Sequence, residues 1–145
     1  EVKVVLLDSL AKRLKFLEAV IEKLGLKDIS CVHLRAEDAG QNKDHREKYD
    51  LVTARAVARL SVLSEYCLPL VKVGGYFIAM KGSKCKQEIF EGNTAVGILG
   101  GEIISAEEVK LPGLDDGRAI IRIRKIKKTP VKYPRKAGLP EKQPL

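Results

Sequence analysis

The sequence predicts an α/β domain built on a mostly parallel sheet covered by helices on both faces. Three observations carry that expectation. Short apolar runs alternate with stretches of helical period along most of the chain. Glycines punctuate the changeovers. The last two apolar runs are joined by the turn-forming stretch LPGLDDG, which brings them back as an antiparallel hairpin at a sheet edge.

The elements follow in order. Val4, Val5, Leu6 and Leu7 form a first strand that ends in the carboxylate of Asp8. Ser9 is placed to cap the next helix, and Leu10, Leu14, Leu17, Ile21 and Leu24 recur at helical spacing with Lys12, Arg13, Lys15, Glu18 and Glu22 opposite them. That pattern predicts an amphipathic helix over 10–24, stopped by Gly25. Residues 28–34 read as a second strand, 38–49 as a polar loop and 49–55 as a third strand. A helix over about 59–71 carries Leu60, Leu63, Leu68 and Val71 before Gly74 and Gly75 break it. YFIAMK (76–81) is a fourth strand, a weaker helix spans about 84–100, and the closing strands lie near 102–110 and 118–126. Residues 1–127 thus form the domain. The basic, proline-containing tail 128–145 is expected to be extended or disordered, with nothing to pack.

Composition narrows the function classes. The chain has 145 residues, enough for one domain with a real core, and 45% are hydrophobic. A net charge of +8 points to a polyanionic partner, nucleic acid or membrane. No apolar run approaches membrane-spanning length and no signal-peptide pattern opens the chain, so a soluble cytosolic protein is expected. Cys31, Cys67 and Cys85 are widely spaced with no C-x-x-C, which favours reduced thiols over disulfides or a zinc site.

In such sheets, ligands bind beyond the carboxyl ends of the strands. Those ends are Asp8-Ser9-Leu10, Arg35-Ala36-Glu37-Asp38, Thr53-Ala54-Arg55 and Lys81-Gly82. An acid at a strand tip can accept hydrogen bonds from both hydroxyls of a ribose, and a second acid one strand further out can accept from an adenine amino group. Each residue also has a plainer reading. Asp8 could only cap a helix, Glu37 and Asp38 could be solvated, and Arg55 could pair with a neighbouring carboxylate. MKGSK lacks the glycine spacing of a phosphate loop, and His33 and His45 have no ligand spacing. Two acids at consecutive strand ends together favour a nucleoside-like ligand.

LLDSLAKRLKFLEAV, RAED, YDLVTARAVARLSVLSEYCLPLVKVGGYFIAMKG and KTPVKYPRKAGLPEKQPL closely resemble the RsmG (GidB) family of bacterial 16S ribosomal RNA guanine-N7 methyltransferases. The resemblance implies a class I, Rossmann-like methyltransferase fold, S-adenosylmethionine as methyl donor, and 16S rRNA or the small ribosomal subunit as partner. No metal or membrane is implied, and a monomer is expected. By resemblance, Asp8, Ser9 and Leu10 line the ribose, Ala36 and Glu37 meet the adenine, and Arg55 sits beside the cofactor. The family's first strand, its glycine-rich loop and an earlier helical segment are expected before Glu1, and this sequence has nothing like them. Two alternatives stay open: a class I methyltransferase with another substrate, and a non-catalytic RNA-binding domain.

Guanine N7 carries an unshared pair and needs no deprotonation, so no catalytic base is assigned. RNA contact is expected from Arg13 on the first helix, from Lys81 with Lys84 near the fourth strand's tip, and from Lys128, Lys132 and Arg135 in the tail. Tyr133 could stack on a base, but a lone tyrosine more often packs on its own domain.

Overall fold

The computed structural model describes residues 2–55, 58–82 and 85–145. The element order is β1 (Val4–Asp8), α1 (Ala11–Lys23), β2 (Ile29–His33), α2 (Ala36–Gln41), β3 (Tyr49–Arg55), α3 (Leu60–Cys67), β4 (Val71–Lys81), α4 (Cys85–Ile98), β5 (Gly101–Leu111), β6 (Leu114–Lys125) and α5 (Leu139–Lys142). A 3-10 turn, Leu68–Leu70, joins α3 to β4.

The strands make two sheets. β1 and β2 pair in parallel as a ribbon, and the other four run in the order β3-β4-β6-β5. β3 and β4 are parallel, whereas β6 is antiparallel to both β4 and β5. Half the strand pairings are therefore antiparallel, which corrects the expected mostly parallel sheet: β6 enters between β4 and β5 and leaves β5 as the edge. Coverage also differs from expectation. Phe77, Ala79, Ala119, Ile121 and Ile123 are buried in one cluster with Leu60 and Leu63 of α3, Val96 of α4 and Leu99 just after it. The alternate residues point the other way, and there Leu51, Tyr76 and Met80 are 55%, 38% and 40% exposed. α1 packs on its own β1–β2 ribbon.

Local chemistry explains the boundaries. α1 ends in a Schellman motif, with Leu26 N–H bonded to Ile21 O and Gly25 N–H to Glu22 O, and Gly25 takes φ 61°. Its start is not capped by Ser9. Leu10 is the N-cap position, and the Asp8 side chain bonds the Leu10 N–H instead.

The tail is the largest departure. Residues 129–145 lie on the domain, with Tyr133 in the core cluster and Thr129 and Pro140 buried. α2 and α5 form where a loop and disorder were expected. Cys31 and Cys67 are free thiols. Among the described residues, no helix is long and apolar enough to cross a membrane, and no cluster of His, Cys, Asp and Glu could hold a metal ion.

Candidate cofactor and nucleic-acid site

The ribbon brings the first candidate residues together. Asp8 pairs with His33 in the β1–β2 register. Its Oδ1 accepts from Leu10 N–H at 2.8 Å, and Oδ2 lies 3.3 Å from Arg13 Nη1. The Ser9 carbonyl accepts from His33 Nε2 at 3.0 Å, tying the post-β1 turn to the end of β2. Asp8 therefore does cap the chain locally, but its carboxylate still reaches solvent. Arg13, expected to contact RNA, is 68% exposed at the side chain and leans on Asp8.

β2 leads to Ala36 and Glu37 at the start of α2. Glu37 is only 8% exposed, and its Oε1 accepts from Gly138 N–H at 3.0 Å. The expected adenine contact is thus partly committed to the C-terminal segment. The same segment takes four further anchors. Gln41 Nε2 donates to Val131 O and Pro134 O at 3.1 and 2.9 Å. Arg46 donates through Nη1 to Gly40 O and Tyr133 O, both at 2.7 Å, and through Nη2 to Thr129 O at 2.8 Å. Glu47 Oε1 accepts from Thr129 N–H at 2.9 Å. Glu65, fully buried on α3, accepts from Arg135 through its backbone N–H, Nε and Nη2 at 2.8, 2.9 and 2.6 Å.

Several expectations change here. Arg135 is held by Glu65, its guanidinium pKa raised first by that hydrogen bonding, so the expected RNA contact is already occupied inside the protein. Tyr133 packs in the core, which is the plainer of its two readings. Lys132 is exposed, its ammonium 5.2 Å from the centre of the Tyr133 ring. A cavity of about 320 Å³ opens between α2 and this segment, lined by Glu37, Asp38, Gln41, Lys132, Arg135 and Lys136. Tyr66 on α3 is raised above its usual pKa first by burial and then by Glu37 and Glu141.

The other sheet carries Arg55, exposed at the tip of β3 and in register with Met80. Lys81 sits at the tip of β4 but is only 2% exposed at the side chain. Its Nζ lies 2.7 Å from Glu88 Oε2 and also donates to Ala58 O. A buried ammonium with two such partners cannot also meet a phosphate, so the expected RNA contact at Lys81 is corrected to a brace between β4, α4 and the post-β3 loop. Lys84 lies outside the described residues. Lys128 is exposed.

Sequence reasoning missed Glu65, Arg46, Glu47, Lys125 and Thr129, the internal polar frame of the tail. Lys125 is fully buried, donating to Leu68 O and to Thr129 Oγ1, and Thr129 Oγ1 in turn donates to Leu99 O. One signal was visible. A carboxylate at 65 inside the apolar run LSVLSEYCLPL must find a cation or lose its charge.

The sequence profile of the GidB family, described as "rRNA small subunit methyltransferase G", matches residues 1–115. The chain belongs to the GidB family. A protein of Lactobacillus acidophilus named "Ribosomal RNA small subunit methyltransferase G" is 61% identical over 143 residues, which cover 99% of this chain and 60% of that protein. One of the same name from Acetivibrio thermocellus is 59% identical over all 145 residues and again 60% of its own length. The chain thus spans about three fifths of the length of these curated GidB relatives. Among solved structures, an rRNA methylase from Streptococcus thermophilus superposes with a TM-score of 0.58 at 17% identity, over 86% of this chain and 74% of that one. M. jannaschii TYW2 in complex with AdoMet gives 0.63 at 12% identity, over 86% and 58%. Likeness at that distance establishes the fold, which is the α/β, Rossmann-like fold of class I methyltransferases.

Proposed function

We propose that the protein transfers a methyl group from S-adenosylmethionine to N7 of a guanine in 16S ribosomal RNA, in the cytoplasm where that RNA is assembled. Membership of the GidB family is the observation that carries this reading.

The residues suit the cofactor on its ribose side. A carboxylate has about four lone-pair sites. Asp8 spends one on Leu10 and leans on the exposed Arg13 with another, so a ribose diol can still be accepted. Ser9 and Leu10 present backbone beside it. On the adenine side the role falls to Ala36 and the remaining oxygen of Glu37, since Oε1 serves Gly138. Arg55, exposed at the neighbouring sheet's tip, is the proposed contact beside the reacting end.

When bound, the cofactor supplies an electrophilic methyl group on a sulfonium. The protein's task is to place N7 in line with it, and orientation alone can lower a barrier by roughly 7–11 kcal/mol. No side chain has to remove a proton. Both histidines have structural partners: His33 holds the Ser9 carbonyl, and His45 Nδ1 lies 2.7 Å from the Tyr49 hydroxyl. Arg13, Lys128 and Lys132 are the proposed RNA contacts.

The test is nucleoside mass spectrometry of 16S rRNA from a strain lacking the gene. One 7-methylguanosine should disappear and return on complementation. Unchanged 7-methylguanosine in the deletion strain refutes the reading.

A further inference from the structure

We infer that Arg135 and Glu65 are positioning residues for cofactor binding, acting through the C-terminal segment on α2. The inference rests on the proposed cofactor reading and goes beyond it. It assigns to the tail's most buried cation a part in methyl-donor affinity, where the sequence pattern suggested RNA.

The argument starts from how little holds α2 by itself. It has six residues, and its N-cap Arg35 makes no side-chain cap bond. Helices this short are not stable alone, so α2 takes its place from tertiary partners. The C-terminal segment provides many of them along its length. Glu37 at one end accepts from Gly138, Gln41 at the other donates to Val131 and Pro134, and the Arg46 fork joins Gly40 O to Tyr133 O. Contact between them is also steric. A Cβ on Gly40 would stand 2.6 Å from Pro134 Cγ, so the proline ring rests directly on the helix backbone.

The segment is in turn fixed from the opposite side. Arg135 directs a backbone N–H and its planar fork onto both oxygens of Glu65, which is fully buried in α3. Breaking such a pair leaves an uncompensated buried charge, whereas a lysine would restore the charge without the fork. Arg135 lies between the Pro134 and Gly138 contacts, so its release frees both ends of the hold on α2. The carboxylate of Glu37 and the backbone at Ala36 then lose their fixed position at the tip of β2, and a ligand that needs them there binds less tightly.

The experiment uses the full-length protein and its Arg135→Ala, Arg135→Lys, Glu65→Gln and Lys132→Ala variants. Cofactor dissociation constants come from titration calorimetry, at a temperature where circular dichroism shows each variant folded. RNA affinity is followed against salt. Arg135→Ala and Glu65→Gln should weaken S-adenosylmethionine binding by about tenfold, with Arg135→Lys recovering part of the loss. The salt slope of RNA binding should stay unchanged in all three, while Lys132→Ala lowers it by ~0.7–0.9 and leaves cofactor affinity alone. If Arg135→Ala does not fold, Glu65→Gln decides, because glutamine keeps an acceptor for the Arg135 N–H groups. Natural affinity in the folded variants, or a reduced salt slope in Arg135→Ala, overturns the inference and leaves the cofactor reading standing. A natural protein that binds no S-adenosylmethionine overturns both.

Discussion

Asp8 offers the sharpest separation between a structural and a ligand-binding role, because two substitutions divide its contacts differently. Asp8→Ala removes the acceptor for Leu10 N–H and the contact with Arg13. Losing a local cap costs about 1 kcal/mol of stability. The Arg13 contact, on a largely exposed guanidinium, adds no more than about 0–1 kcal/mol. If the carboxylate also accepts from both ribose hydroxyls, two hydrogen bonds, each at the ordinary net value of ~1–1.5 kcal/mol, are lost on binding. That is about 2–3 kcal/mol, or roughly a 30- to 150-fold rise in the dissociation constant. Asp8→Asn keeps Oδ1 for Leu10 but gives up the charge and one acceptor. It should fold within about 0.5 kcal/mol of the natural protein while still losing roughly tenfold in affinity. Calorimetric titration with S-adenosylmethionine and thermal melting of the same full-length variants read the two quantities separately. A lowered melting temperature in Asp8→Ala, with unchanged affinity in both variants, would show that the carboxylate only closes the post-β1 turn.

Two further outcomes follow from the tail's anchorage. Burial pushes the Lys125 ammonium down to about 8 from its usual 10.5, with Glu47 opposing the fall. Below pH 8 both folded and unfolded chains hold that proton, and the folded chain bears the full cost of the buried charge. Between about pH 8 and 10.5 the unfolded chain binds more protons, so stability should rise with pH by up to about 3 kcal/mol. Cys67, pushed up to about 12 by burial, works in the opposite sense once the unfolded thiol ionises near pH 9. Denaturant unfolding of the natural protein and of Lys125→Met should therefore diverge between pH 7.5 and 9, and parallel curves would refute the assignment. Gly40→Ala should cost about 1–3 kcal/mol, because the new methyl meets the Pro134 ring. Stability within 0.5 kcal/mol of the natural protein, by the same denaturant assay, would mean that the tail does not press on α2.

What was legible in the sequence was local. The Schellman stop at Gly25, the strand 49–55 and the hairpin around LPGLDDG each declare themselves within a few residues. The strand tips were legible too, because apolar runs ending in Asp8 and Arg55 mark where β1 and β3 stop. The tail was not. Its docking depends on side chains 70 to 101 positions away: Arg46 and Gln41 donate to its carbonyls, and Glu65, Glu47 and Glu37 accept from its N–H groups. Proline removes donors from a segment but leaves its carbonyls, and a run that looks unable to build its own structure can still be bonded by donors placed elsewhere. Lys81 failed for the same reason. A lysine at a strand tip looks solvated until Glu88 on the next helix and the carbonyl of Ala58 come to it.

Those corrections move the basic residues without weakening the argument drawn from charge. The pairs Lys81–Glu88, Lys125–Glu47 and Arg135–Glu65 withdraw cations and carboxylates in equal number, so the net charge of +8 stays on the remaining, more exposed residues. Burying a cation also demands a partner, and each of these three has one within 3.5 Å. The exposed cations carry no such obligation: Lys127, Lys128, Lys132 and Lys136 all face solvent along the C-terminal segment. Their backbone is fixed by internal bonds from α2, α3 and the loop after α2, so these side chains project from an ordered surface. A polyanion meeting them does not have to order a free tail first, and more of each phosphate contact is then realised as affinity.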